Sequence, residues 1–110
     1  MNMVFHKNAA SGHWSDFSLE EQLGNIGTEL GRTVKWQGKD EKNFQGAVDR
    51  ALELFDLTLN DSRWKGRLKE IARTRELFCA AVLGDKEYGT SLEDLNKYFL
   101  FFAIAARANR

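Results

Sequence analysis

The segment SLEEQLGNIGTELGRTVKW, residues 18–36, decides the fold that the sequence predicts. It begins with the pattern of a capping box. In this motif the hydroxyl of Ser18 accepts a hydrogen bond from an amide of the first helical turn, and the side chain of Glu21 accepts one from the N–H of Ser18. Apolar residues then recur at steps of three and four, which is typical of an amphipathic helix. These residues are Leu19, Leu23, Ile26, Leu30 and Val34. The segment therefore predicts a helix that buries one stripe against other helices.

Three glycines, Gly24, Gly27 and Gly31, lie within this predicted helix. Each costs about 1 kcal/mol of helix stability relative to Ala. Their presence indicates that something approaches the backbone closely. We expect a neighbouring helix there, and a bound ligand is the alternative.

Three further segments have helical periodicity. The second predicted helix follows a turn at residues 37–42, Ser62 is a candidate N-cap for the third, and Thr90 or Ser91 is a candidate N-cap for the fourth. The expected core residues of the second helix are Phe44, Val48, Ala51, Leu52, Phe55 and Leu59. Those of the third are Trp64, Leu68, Ile71, Phe78 and Val82. Those of the fourth are Leu92, Leu95, Phe99, Phe102 and Ala106.

Short connections between these helices predict an all-α fold, an antiparallel up-down-up-down four-helix bundle. The chain has 110 residues and no proline, which suits one helical domain. We expect that domain to span residues 14–110 and residues 1–13 to form a mobile N-terminal tail.

The charge balance and cysteine content suggest a soluble cytoplasmic protein. Sixteen Lys and Arg residues balance sixteen Asp and Glu residues, so no overall field attracts nucleic acid or a membrane. The single Cys79 cannot form an internal disulfide, which suits a reducing compartment. The longest apolar run, residues 98–106, is about half of the roughly 20 residues that cross a bilayer.

No pattern in the sequence points to catalysis, a metal or a cofactor. His6 and His13 lie in the predicted tail, where a catalytic group would be poorly positioned. Cys79 lies in the apolar segment LFCAAVL, which predicts an inert thiol. The chain also lacks a Glu-x-x-His pair and a glycine-rich phosphate loop. We therefore expect a protein that is not an enzyme.

The segment RWKGRLKEIARTREL, residues 63–77, is rich in basic side chains. Lys65, Lys69 and Arg73 recur on one strip of the predicted third helix, but Glu70 and Glu76 interrupt the positive charge. The alternation favours a solvated, salt-bridged face. The alternative is a surface that binds RNA or another anion through Lys65, Lys69, Arg73 and Arg75.

Arg75 falls where the apolar stripe of the third helix would continue. A charge at such a position needs a partner. Short connections between helices bring Asp49 opposite Arg75, so we predict a structural ion pair between these two residues. A polar groove, and with it an unrecognised active site that includes Glu53 and Asp56, is the alternative.

A compact helical bundle with an Arg on an internal face of its third helix resembles the HEPN group of small prokaryotic proteins. That group includes ribonucleases and non-catalytic partners of nucleotidyltransferases. Its nuclease members need a His four to six residues after the Arg, and none follows Arg75. The resemblance therefore implies an RNA-associated protein without nuclease activity, either a nucleotidyltransferase partner or an RNA binder. The segments RALELFDLTL (50–59) and SLEDLNKYFLFFA (91–103) also resemble a small family of bacterial and archaeal helical proteins, which implies no mechanism.

Residues 98–106 of the fourth predicted helix are apolar around the whole circumference. A bundle helix needs about three apolar positions in seven. The surplus forms a second face of Tyr98, Leu100, Phe101, Ile104 and Ala105. We expect Trp14 and Trp64 to lie at the same end of the bundle, near Phe102 and Ile104, and to contribute to the same interface.

This surplus predicts an interface with a second copy or with a protein partner, because large exposed apolar patches are rare on soluble monomers. The N-terminal segment, folded back as a lid, is the alternative. The sequence thus favours a non-enzymatic interaction module that self-associates or binds a partner through its fourth helix.

Overall fold

The computed structural model describes residues 13–84 and 91–108, and in this part of the chain all regular structure is helical. The α-helices are α1 (Leu19–Trp36), α2 (Glu41–Leu59), α3 (Leu68–Val82) and α4 (Leu92–Ala108). Short 3-10 helices cover His13–Asp16 and Ser62–Arg67. The all-α prediction is confirmed. The predicted tail up to residue 12, the candidate cap Thr90 and the side chains of Phe102, Ala105 and Ala106 lie outside the described residues.

Side-chain caps define where three of the helices begin. Ser18 and Glu21 form the predicted capping box, with distances of 3.2 Å from the Glu21 N–H to Ser18 Oγ and 2.9 Å from the Ser18 N–H to Glu21 Oε1. Asp40 caps α2 by accepting from the Asn43 N–H at 3.1 Å. Ser91 caps α4 through a 3.0 Å hydrogen bond from the N–H of Asp94. Each cap satisfies an amide that the helix itself leaves unpaired.

The connection between α2 and α3 differs from the prediction. Ser62 does not cap α3; instead Asp61 accepts from the N–H of Arg63 at 3.1 Å and starts a 3-10 helix. Trp64 within that segment has non-helical backbone angles, and α3 begins only at Leu68. The wrong prediction took residues 62–67 as the first turns of α3. These six residues instead turn the chain, so α3 starts later than periodicity indicates.

The four helices enclose one core. Helix α1 packs against α2 and α4, and α3 packs against the same two helices. The ring of Phe55 lies at the centre, 6.0 Å from that of Phe78 and 6.1 Å from that of Phe99. Three helices therefore meet around a single aromatic side chain, and this packing holds α4 against the rest of the molecule.

The glycines of α1 do not all serve the same purpose. A Cβ added at Gly27 would lie 3.4 Å from the ring of Phe99, so α4 does approach closely there. A Cβ added at Gly24 or at Gly31 would meet nothing within 4 Å. The expectation of close helix packing is confirmed at Gly27 and is wrong at the other two positions.

Candidate interaction surface on the fourth helix

Helix α4 has one buried side and one exposed apolar side. Leu95 and Phe99 are each 1% exposed within the core. In contrast, four large apolar or aromatic side chains on the remaining circumference are solvent-exposed, and we call them the apolar face. They are Tyr98 (46% exposed), Leu100 (59%), Phe101 (71%) and Ile104 (54%). The side chain of Ala105, the fifth predicted member, lies outside the described residues.

The sequence of α4 itself explains why this helix has both a buried stripe and an exposed apolar face. The spacing of Leu92, Leu95 and Phe99 supplies the stripe that the core needs, and all three are buried. Residues 98–106 are all apolar or aromatic, so burying the stripe that contains Phe99 leaves Tyr98, Leu100, Phe101 and Ile104 in water. Contiguous exposed apolar patches of several hundred square ångströms mark interaction sites on soluble proteins. The apolar face has the composition of such a site.

A cleft of about 330 Å³ opens between α1 and α4 beside the apolar face. Gly24 and Gly27 line it from α1 together with Thr28, and the absence of glycine side chains leaves the space open. Leu100 lines it from α4 and also belongs to the apolar face. The cleft and the apolar face are therefore continuous. Leu23, Asn96 and Phe99 complete the lining.

Two predicted interface residues belong instead to the interior of the subunit. Trp14 is only 4% exposed, and its indole N–H donates to Thr58 Oγ1 at 3.1 Å. Trp64 is half-buried, and its indole N–H donates to Gln22 Oε1 at 2.9 Å. The prediction that Trp14 lies at an interface is wrong, and Trp64 is engaged within its own subunit. The reason is that buried polar partners satisfy both indoles, which apolar periodicity does not reveal.

Gln22 connects these tryptophans to the end of α2. Its side chain is fully buried, and its amide donates to the carbonyl of Trp14 at 2.9 Å and to Asp61 Oδ2 at 3.1 Å. Asp61 also accepts from Arg63, whose Nη2 lies 2.6 Å from Oδ2. Hydrogen bonds from Arg63 are the main cause that lowers the pKa of Asp61 from 3.8 to about 2, with a smaller contribution from Gln22 and opposition from burial. This network stabilises the junction of α1, α2 and the 3-10 helix.

The basic segment of residues 63–77 is solvated and is salt-bridged in part, since Arg63 pairs with Asp61 and Arg75 pairs with Asp56. Lys65, Lys69 and Arg73 are exposed. In the part of the chain that the structure describes, no hydrogen bond or ion pair engages the side chains of these three residues. The positive charges of Lys65, Lys69 and Arg73 are therefore accessible to an anion in solution.

Arg75 has a partner other than the predicted one. Its Nε lies 2.9 Å from Asp56 Oδ1, and its Nη1 lies 3.9 Å from Cys79 Sγ. Asp49 instead accepts from the side chain of Gln45 at 3.2 Å. The predicted Asp49–Arg75 ion pair is therefore wrong. Because residues 62–67 form the turn, α3 is displaced along α2 by about two helical turns relative to the prediction, and Asp56 replaces Asp49.

Sequence reasoning missed a buried carboxylate in α1. Glu29 is 3% exposed and pairs with Arg50 of α2, 3.2 Å away, and with Arg32, 2.9 Å away. Gln22, Ile26 and Thr33 are fully buried. Glu29 follows Ile26 by three residues and precedes Thr33 by four, which is the spacing of one side of a helix, so periodicity could have predicted that Glu29 is buried. A charge at such a position needs partners, and the two arginines supply them.

Within the described residues, no group of three or more His, Cys, Asp and Glu side chains is placed to hold a metal ion. None of the helices in this part of the chain is both long enough and apolar enough to cross a bilayer.

No protein-family model, curated protein or solved structure matches the chain. The apolar face of α4, with the adjacent cleft, is the feature on which a functional interpretation rests.

Proposed function

We propose that this protein is a non-enzymatic interaction module that associates with itself or with a protein partner through α4. The observation that carries the proposal is the exposure of Leu100, Phe101 and Ile104 while the core is already closed by Leu95 and Phe99. Covering such a surface releases about 25 cal/mol per Å² of apolar area removed from water. Aromatic anchors near the centre of an interface often dominate its binding free energy.

We infer an antiparallel up-down-up-down order for this module, and the contacts between α1 and α2 support it for the first pair of helices. The start of α1 meets the end of α2 through the Gln22–Asp61 hydrogen bond, and Glu29 meets Arg50 nearer the middle of both helices. A free Cys79 is in keeping with function in the cytoplasm.

Light scattering and analytical ultracentrifugation test the proposal. We expect the wild-type protein to be oligomeric at micromolar concentration and Phe101→Glu to be monomeric, because a buried carboxylate would be left without a partner. Leu83→Glu is the matched control, since Leu83 is 83% exposed at the end of α3 and is not part of the apolar face. It should keep the wild-type mass. A monomeric wild type whose mass Phe101→Glu leaves unchanged contradicts self-association.

The unpaired basic residues favour a second candidate function, in which the protein binds RNA as a HEPN-like protein without nuclease activity. Lys69 and Arg73 lie one turn apart on α3, Lys65 is exposed in the 3-10 helix before it, and Arg75 stays half-buried beside Asp56. Phosphate binding by such residues weakens steeply with salt, because bound counterions are released.

Fluorescence anisotropy with a short RNA tests this alternative. Binding that weakens with salt and is lost in the double variant Lys69→Glu, Arg73→Glu supports it. The double variant Lys39→Glu, Lys42→Glu makes the same charge change at exposed residues before and in the first turn of α2, and should bind like the wild type. Equal loss in both double variants would indicate non-specific attraction, and no binding at low salt would contradict the RNA function.

A further inference from the structure

We propose that a second copy of this chain covers the apolar face, in a symmetric dimer in which Phe101 of each copy enters the α1–α4 cleft of the other. The inference rests on the proposed self-association and adds the arrangement of the two copies. Its starting point is that one surface of the subunit carries both a protruding aromatic side chain, 71% exposed, and an open cleft. A surface with a projection and a recess can be complementary to itself.

The geometry of α4 sets the symmetry. Successive residues of an α-helix are turned by about 100°, so Leu100, which lines the cleft, and Phe101 point in clearly different directions. Ile104 lies between these two directions on the helix surface. A two-fold axis that runs roughly along α4 beside Ile104 brings Phe101 of each copy opposite the cleft of the other. The two Ile104 side chains then meet near the axis.

The cleft is large enough for this occupant. An apolar cavity of about 150 Å³ is known to accommodate benzene. The cleft measures about 330 Å³. The buried Leu23 and Phe99 lie beneath it, and the exposed Gly24, Thr28 and Leu100 form its rim. A phenyl ring that enters it is removed from water without displacing any side chain at Gly24.

Charge and area are compatible with a dimer of identical chains. The formal net charge is zero, so two copies do not repel each other over long distances. The apolar face exposes an area on the order of 400 Å². A standard interface takes about 800 Å² from each partner, and the cleft walls and surrounding polar residues can supply the rest. Lys97, exposed seven residues before Ile104, lies on the same side of α4, so its long side chain must carry the ammonium group past the axis and out to water.

Filling the cleft tests the arrangement separately from self-association. Gly24→Trp adds an indole at an exposed helical position where a Cβ meets nothing within 4 Å, so a side chain can leave the backbone there without a clash. We expect the dimer dissociation constant to rise at least about 30-fold, because Phe101 of the other copy loses its site. Gly31→Trp is the matched control, since Gly31 is also open but does not line the cleft. Thr28→Arg, an exposed residue of the cleft, is a second test if Gly24→Trp fails to fold.

Sedimentation of these variants distinguishes the two ideas. A dimer that Phe101→Glu disrupts, but that Gly24→Trp and Thr28→Arg leave intact, overturns the cleft arrangement while self-association stands. A monomeric wild type overturns both. Loss of the dimer in Gly24→Trp but not in Gly31→Trp supports the arrangement.

Cross-linking tests the position of the two-fold axis. In a Cys79→Ser background, Ile104→Cys should form a disulfide-linked dimer under mild oxidation, because side chains close to the axis meet their own copies. Leu83→Cys in the same background is equally available to oxidant and should cross-link far more slowly. Equal rates for the two variants would overturn the proposed axis.

Discussion

Individual polar residues specify how the ends of the helices join. Gln22 is fully buried, yet its amide has three partners: the carbonyl of Trp14, the carboxylate of Asp61 and the indole N–H of Trp64. Each of these hydrogen bonds adds modestly to the free energy of unfolding. A buried amide left without partners would lower that free energy by more than the bonds raise it, because its loss of water would not be compensated. The network therefore selects one arrangement of the α2–α3 connection over others that bury similar apolar area.

Asp61 should give this network a distinct pH dependence. Its folded pKa of about 2 lies below the ordinary 3.8, so its contribution to stability is present above about pH 3.8 and is lost as the pH falls toward 2. We expect Asp61→Asn to lower the free energy of unfolding by about 1–3 kcal/mol near neutral pH. The difference from the wild type should shrink between about pH 4 and pH 2. Urea unfolding at a series of pH values measures both effects.

Asp49→Asn is the control for that experiment. Asp49 is exposed and accepts from the exposed Gln45, so the Asp49→Asn variant should have a free energy of unfolding within about 0.5 kcal/mol of the wild type. An Asp61→Asn variant that unfolds like Asp49→Asn would mean that the network contributes nothing to stability.

At the scale of the helix, α1 shows how one residue type serves different purposes. Gly27 faces the ring of Phe99, and its small size lets α4 lie close. Gly24 and Gly31 face open space, so packing within the subunit does not account for them. Gly38 has a left-handed φ of 75° in the turn after α1, which glycine adopts without strain.

Alanine substitutions should separate these purposes. Gly31→Ala removes backbone freedom from a helical position with room for a methyl group, and should raise the free energy of unfolding by about 0.5–1 kcal/mol. Gly38→Ala should lower it by about 1–2 kcal/mol, because a Cβ is strained at that φ. Thermal unfolding followed by circular dichroism measures both. If Gly31→Ala and Gly38→Ala changed the free energy of unfolding equally, the different purposes assigned to the two glycines would be contradicted.

At the scale of the whole molecule, the apolar residues divide between a closed core and an open face. Phe55 contacts aromatic rings from α3 and α4 and is fully buried. Phe101, the same residue type, is mostly exposed. The first contributes to folding and the second is available for association, so the two should respond differently to truncation.

Phe55→Ala should lower the free energy of unfolding by about 3–5 kcal/mol, because it leaves a cavity where three helices meet. Phe101→Ala should change it by less than about 0.5 kcal/mol in protein dilute enough to be monomeric. At higher concentration the wild type should gain thermal stability and Phe101→Ala should gain less, since association stabilises the folded state by mass action. Calorimetry over a range of concentrations measures this, and a wild-type melting temperature independent of concentration would contradict it.

Local sequence determined the helices themselves and the surplus apolar surface of α4. A cap such as Ser18 with Glu21, or a stripe such as Leu92, Leu95 and Phe99, depends on residues within one or two turns, so periodicity reveals it. The exposed positions of Leu100 and Phe101 follow in the same way, because a single helix cannot direct its whole circumference into one core.

Only the tertiary structure decided which residues meet across helices. The 3-10 helix at Ser62–Arg67 shifted α3 along α2 and gave Arg75 the partner Asp56. The burial of Trp14 and Glu29 likewise depends on groups distant in sequence, Thr58 and Arg50 among them. Hydrophobic periodicity gives the face on which a residue lies but not the position of one helix along another, and polar partners across the core are set by that position.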